Sequence, residues 1–188
     1  MKKKDLKLFS KIPELRTERL ILRRIRPSDT DDIFAYSRDP EVSKYLLWSP
    51  HPDKAYTKSY FSIVDKKYKS SEFYDWGIEY CGRMIGTCGF TCFDIYNNKG
   101  EVGFVLNREF WGAGIATEAL ERIIEFGFRE LRLHRLEARV MVGNSASRAV
   151  LEKCGFMKEG VLREAVFAHG EYKDVMVLGL TEREYKKG

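Results

Sequence analysis

No apolar run in this 188-residue chain approaches the ~20 residues needed to cross a bilayer as a helix, so no membrane-spanning helix is expected. The opening Met-Lys-Lys-Lys-Asp is basic with no apolar stretch behind it, so a secretory signal is not expected either. Cysteine is scarce: Cys81, Cys88, Cys92 and Cys154 are the only four. No two have C-x-x-C spacing, and no Cys/His group has ligand spacing, so no metal site is expected. In a straight strand Cys88 and Cys92 would lie ~13 Å apart, beyond disulfide reach. Four reduced thiols suit a cytosolic protein. Blocks of like charge, internal repeats, low-complexity tracts and linkers are also missing. The net charge of +5 suits an anionic partner, but Lys and Arg are interspersed with Asp and Glu, which speaks against nucleic acid. Apolar content of 44% and charged content of 32% are ordinary for one globular domain with a real core.

The most informative stretch runs from Glu101 to Leu131. Val102, Phe104 and Leu106 alternate with Glu101, Gly103 and Val105, which predicts a strand. Ala116, Leu120, Ile123, Ile124 and Leu131 share one stripe at helical spacing. Between them, Gly112 and Gly114 allow a sharp turn that approaches a ligand closely. A glycine turn entering a helix can cradle a phosphate on free N–H groups, or it can be a plain strand-to-helix connection. Neither common nucleotide fingerprint is present: the end of a G-x-G-x-x-G is missing, and no Gly-Lys-Ser/Thr follows.

Around this stretch, Arg19 to Arg26 alternates as a strand. Ser28 with Asp31 resembles a capping box opening a helix that Asp39-Pro40 ends. A second helical stretch is expected near 41–46. Asp53 to Lys69 predicts a helix with Tyr56, Tyr60, Ile63 and Val64 as its apolar side. Trp76, Ile78 and Tyr80 alternate, Cys81-Gly82-Arg83 turns, and Met84 to Phe93 returns as a hairpin. His134 to Val142 is a further strand, with Leu136, Ala138, Val140 and Val142 on one face. Ala146 to Cys154 is a short helix ended by Gly155. Val161–Ala168 and Glu171–Leu180 flank His169-Gly170 as a last hairpin. The order β-α-α-β-β-β-α-β-α-β-β implies a mixed sheet with helices packed on it. Residues 1–16 are expected to be a loose lead-in to a single domain at 17–188.

Two segments, EVGFVLNREFWGAGIATEAL and VMVGNSASRAVLEKCGFMKEGVLRE, resemble the acetyl-CoA-binding core of the GNAT acetyltransferase superfamily. With TERLILRRIRPSD and DVMVLGLTEREY, the likeness is closest to the RimJ/RimL type, the ribosomal-protein N-terminal acetyltransferases, and covers Thr17 to Tyr185. It implies an α/β domain: a mixed, mostly antiparallel sheet with two central splayed parallel strands and helices on both faces. Glu101–Asn107 and His134–Val142 would be the splayed pair, consistent with a helix crossing between them.

The resemblance also implies a site. Backbone N–H groups of Trp111, Gly112, Ala113, Gly114, Ile115 and Ala116, with the Thr117 hydroxyl, would hold the phosphates of acetyl-CoA. Main-chain groups of Val105 and Leu106 would pair with its pantetheine arm as an added strand. The family has Gln or Arg where this chain has Glu109, which would face a carboxylate toward an anion. Asn144 would contact the cofactor, or serve as a turn or helix cap in competition with Ser145. Glu101 would be the base that frees the amine of its proton, or a structural carboxylate paired with an arginine. Other branches carry a tyrosine acid where this chain has Leu151, leaving Ser147 to contact the departing thiolate or to cap its helix. Cys154 would be core. Trp48 and Tyr45 would line the acceptor groove or pack in the core. The implied activity is direct acetyl transfer from acetyl-CoA to a primary amine, with no metal. The favoured acceptor is a protein or peptide N-terminus. A small amine and a non-catalytic acyl-CoA-binding domain are the competing readings. Assembly is left open, a homodimer included.

Overall fold

The computed structural model describes residues 12–70 and 74–186. Eight strands form one sheet: β1 (Leu15–Arg16), β2 (Ile21–Arg23), β3 (Tyr74–Tyr80), β4 (Arg83–Asp94), β5 (Lys99–Leu106), β6 (Arg135–Met141), β7 (Met157–Ala168) and β8 (Glu171–Thr181). Their spatial order is β1-β2-β3-β4-β5-β6-β8-β7. The helices are α1 (Thr30–Ser37), α2 (Pro40–Ser43), α3 (Lys54–Ser70), α4 (Ile115–Glu125), α5 (Ser145–Lys153) and α6 (Glu182–Tyr185).

Alternation along the strands builds two cores. Trp76, Ile78, Phe90, Val102 and Leu136 turn to one face, where Ile115, Leu120, Ile123 and Ile124 of α4 and Leu151 of α5 cover them. On the other face Ile25 and Met84 meet Ile33 and Tyr36 of α1, Val42 of α2 and Val64 and Tyr68 of α3. A buried ion cluster ties the second layer down: Arg23 donates to both carboxylate oxygens of Asp29 at 2.9 and 2.8 Å, and its Nε pairs with Glu79.

The central feature is the parallel pair. Strands β5 and β6 are in register only from Lys99↔Arg135 to Val102↔Ala138. Beyond that point β5 follows β4 and β6 follows β8, so the halves of the sheet diverge. The helical connection through α4 makes such a parallel neighbour possible.

Several boundaries differ from the expectations. The sheet takes in residues before 17: Leu15 and Arg16 pair with Leu22 and Ile21, and the Trp76 indole donates to the Pro13 carbonyl at 2.7 Å. A two-residue strand is too short to show alternation. The cap before α1 uses Asp29, not Asp31: its carboxylate accepts the Arg26 N–H at 2.7 Å. Tyr56 and Ile63 on α3 are half-exposed, and Tyr68 takes the buried place expected for them. The α4 run ends in a π-helical turn, Phe126–Glu130, before the buried Leu131. Val142 lies beyond β6 and is exposed, unlike Leu136, Ala138 and Val140.

Candidate active site

A cleft of about 420 Å³ opens where β5 and β6 part. Phe104, Val105 and Leu106 form one wall, and Gly143 to Ser147 form the other. Trp111, Gly112, Gly114, Ile115, Ala116 and Thr117 close one end, and Tyr45 and Leu46 lie across the mouth.

The glycine turn is built for main-chain donation. Gly112 and Gly114 have φ of +77° and +74°, in the left-handed region that side chains disfavour. A Cβ on Gly112 would meet nothing within 4 Å, so the backbone conformation, not lack of space, calls for glycine there. Gly114 is the N-cap of α4, and no side chain caps that end. The first N–H groups of α4 are therefore available at the positive end of the helix, beside the cleft. The residues fit a bound diphosphate. Ala113 is the one predicted member of the turn that does not line the cleft; its carbonyl accepts from Arg19 at 3.0 Å. Glu109 is turned away as well. Its carboxylate is exposed and 4.0 Å from Arg83, so the departure at this position puts no negative charge on the cleft wall.

Register corrects the expected main-chain contacts on β5. Asn107 N–H donates to the Ile85 carbonyl opposite it at 2.8 Å. Thr87↔Val105 has the same parity, so the Val105 main chain is spent on β4. The groups turned toward the cleft belong to Phe104 and Leu106, and the Leu106 carbonyl already accepts from the Trp111 indole. Val105 remains a lining residue, with its side chain packed against the second core.

On the opposite wall, Asn144 caps α5: its Oδ1 accepts the Ser147 N–H at 3.1 Å. The cap is therefore Asn144 and not Ser145. The capping bond uses only the amide oxygen, which leaves the NH₂ group of this cleft-lining residue unused by the cap. Ser147 also lines the cleft, and its hydroxyl has no hydrogen-bond partner among the described residues. The Tyr45 ring lies 3.4 Å from where a Cβ on Gly143 would stand. That is ordinary contact, so it is the φ of +101° at Gly143, not space, that calls for glycine where the segment after α2 meets the end of β6. At the tip of the β7–β8 hairpin, His169 Nε2 is 3.2 Å from the Ser43 carbonyl and 3.0 Å from that of Leu46, which fixes the same segment from the other side.

Glu101 stands one residue before the strands part, on the face opposite Val102, and is not a lining residue. Its carboxylate accepts from Thr91 Oγ1 at 2.9 Å and pairs with Arg139 Nε at 3.1 Å. Trp48 is also outside the lining; it packs on the second core, with its ring 5.5 Å from His51. Burial pushes the Cys154 thiol up to about 12, and it rests as core against α4. All four cysteines are free, and no group of three potential metal ligands occurs among the described residues.

Sequence reasoning missed Glu41. It is the only carboxylate among the described residues lining the cleft, beside Lys44 and Lys153. Periodicity cannot reveal it, because α2 is four residues long. The available signal was Asp39-Pro40, which caps and starts α2 as well as ending α1: Asp39 Oδ1 accepts the Glu41 N–H at 2.9 Å.

The fold and the cleft together define an acyltransferase, and comparison with known proteins agrees. Residues 19–157 match the family described as acetyltransferase (GNAT) domain, and the chain belongs to that family. It is an N-acetyltransferase of the GNAT type. The N-acetyltransferase p20 of Bacillus licheniformis, itself uncharacterised, is 36% identical over 173 residues, covering 91% of this chain and 97% of p20. YdaF of Bacillus subtilis (strain 168), provisionally named a ribosomal N-acetyltransferase, is 30% identical, covering 90% of this chain and 94% of YdaF. Among solved structures, RimL, the ribosomal L7/L12 α-N-protein acetyltransferase, in complex with coenzyme A superposes with a TM-score of 0.81. It covers 90% of this chain and 98% of RimL at 21% identity, a likeness of fold. No helix among the described residues is long and apolar enough to cross a membrane.

Proposed function

We propose that the chain moves the acetyl group of acetyl-CoA to the N-terminal α-amine of a protein or peptide. The observation that carries this is the charge of the cleft lining: among the described residues, one carboxylate, Glu41, and two lysines, Lys44 and Lys153. A polyamine brings several ammonium groups, each calling for an acidic partner, and this wall offers a single one. A peptide N-terminus brings one positive charge followed by neutral amides. An α-amine is also easier to deprotonate, since its ordinary pKa of about 8 lies far below the ~10.4 of an alkyl amine such as lysine.

When bound, acetyl-CoA supplies the activated carbonyl. In this reading Glu41 receives the amine; among the described residues its carboxylate is paired only with Lys44, at 3.7 Å. Glu101 takes the proton through a solvent molecule from beneath the point where the strands part. The Arg139 and Thr91 contacts hold its carboxylate in place. Asn144 donates its NH₂ to the pantetheine arm, and the Ser147 hydroxyl meets the departing sulfur.

The test is CoA release with a panel of peptides of different N-terminal residues, polyamines, amino acids and aminoglycosides, with the acetylated atom mapped. Acetylation of peptide α-amines is the expected result. Glu41→Gln raises the acceptor KM while leaving CoA binding intact, and Glu101→Gln lowers kcat about tenfold or more. Turnover with polyamines or other small amines alone would overturn the acceptor assignment. CoA binding with no transfer to any amine would overturn catalysis itself.

A further inference from the structure

We infer that Arg19, which lies outside the cleft in the turn between β1 and β2, is the residue that sets the phosphate loop. This rests on acetyl-CoA being the donor. The guanidinium makes two different bonds at once. Nη1 donates to the Ala113 carbonyl at 3.0 Å, and Nε donates to Glu118 Oε2 at 2.6 Å. The Arg19 main-chain N–H donates to Glu118 Oε1 at 3.0 Å, and Thr17 Oγ1 donates to the same oxygen at 2.5 Å. The turn is itself closed by Leu20 N–H donating to Thr17 Oγ1 at 2.9 Å.

The first bond orients a peptide. In a trans peptide the carbonyl of one residue and the N–H of the next point in opposite directions. Drawing the Ala113 carbonyl toward Arg19 therefore turns the Gly114 N–H the other way. Gly114 lines the cleft and Ala113 does not, which is the outcome this geometry produces. The Arg19 Nη2 sits 3.6 Å from where a Cβ on Gly114 would be, so the clamp is applied at the turn itself.

The second bond pairs a charge. Glu118 is in the first turn of α4, where a carboxylate competes with a phosphate for the positive helix end. Burial alone would raise its pKa, but the hydrogen bonds from Thr17 and Arg19 outweigh burial and hold it below the usual carboxylate value. The ionised carboxylate is thus paired with Arg19 and does not face the loop as a free negative charge. Without the Arg19 side chain the loop would lose an anchor, and Glu118, still bonded by Thr17 and the residue-19 main chain, would lose its counter-charge beside the phosphates.

The role is one of positioning, and its signature is confined to the phosphate-bearing part of the donor. The experiment compares wild type, Arg19→Ala, Arg19→Lys and the double variant Arg19→Ala/Glu118→Gln. Two readouts are taken: CoA affinity by calorimetry, and KM for acetyl-CoA against the phosphate-free donor S-acetyl-pantetheine. Arg19→Ala is expected to weaken CoA about tenfold, the size of a lost charged hydrogen bond. The S-acetyl-pantetheine KM is expected to stay within about twofold, since that donor makes no phosphate contact. Arg19→Lys, which keeps the charge but cannot bond Ala113 and Glu118 together, falls between. Adding Glu118→Gln to Arg19→Ala recovers part of the loss. Unchanged CoA affinity in Arg19→Ala, or equal losses with both donors, would overturn the inference. Absence of CoA binding by the wild type would instead overturn the donor assignment on which it rests.

Discussion

The indole Nε1 of Trp111 donates to the main-chain carbonyl of Leu106 at 2.8 Å, across the turn that joins β5 to α4. The ring is half-exposed, so apolar burial does not account for its position. The bond ties the loop that follows the strand back to the strand end and satisfies a carbonyl that has no partner in β4. Trp111→Phe keeps most of the ring and removes the donor. A net hydrogen bond of about 1 kcal/mol corresponds to a fewfold rise in the dissociation constant for CoA. Calorimetry with CoA checks this; tighter binding in the variant would show that the Leu106 carbonyl serves the cofactor better than it serves Trp111.

Asn144 does two things that can be separated. Its oxygen caps α5, and in the proposed reading its NH₂ serves the cofactor in the cleft that the residue lines. Asn144→Ala should lose about 1 kcal/mol of stability with the cap. Asn144→Asp retains a capping oxygen at a helix start, where a negative charge is welcome, and so should restore the melting temperature. It has no N–H to donate, so the KM for acetyl-CoA should remain raised in both variants. Recovery of KM together with stability in the Asp variant would reduce Asn144 to a cap.

Local patterning made the site's scaffold legible. The alternation through Val102 and Leu106 and the stripe through Leu120, Ile123 and Ile124 both appear as buried faces, with Phe104 partly buried at the cleft, because each segment packs on one side. The glycine pair was legible for the same reason: a left-handed backbone needs glycine whatever surrounds it. Features set by pairing were not legible. Whether Val105 or Phe104 turns its main chain to the cleft depends on which residue meets Thr87, and no side chain reports that. Glu41 reaches the cleft through the path of α2 across the mouth, and the Trp48 ring, close by in sequence, goes into the second core instead. Arg19 lies 94 residues from the carbonyl it holds, a contact only the assembled sheet creates.

Asp75 carries a prediction about pH. It lies on β3, and Tyr68 Oη donates to its main-chain carbonyl at 2.8 Å. Burial pushes its carboxyl up to about 7, against smaller downward pulls from a Thr87 hydrogen bond and from Lys67. The folded value lies above the unfolded one, so the folded protein holds this proton more tightly. The stability it contributes is complete below the ordinary value of 3.8 and is lost as pH rises through about 7. Asp75→Asn replaces the protonated carboxyl with a neutral group of the same shape. The variant should match wild type near pH 4 and exceed it near pH 8. Some solvent contact persists at this residue, so the gain is on the order of 2 kcal/mol, less than the full shift implies. Urea melts of both proteins at the two pH values measure it. A difference that stays constant with pH would mean that the carboxylate ionises in the folded protein as it does in water, and that Thr87 and Lys67 compensate its burial in full.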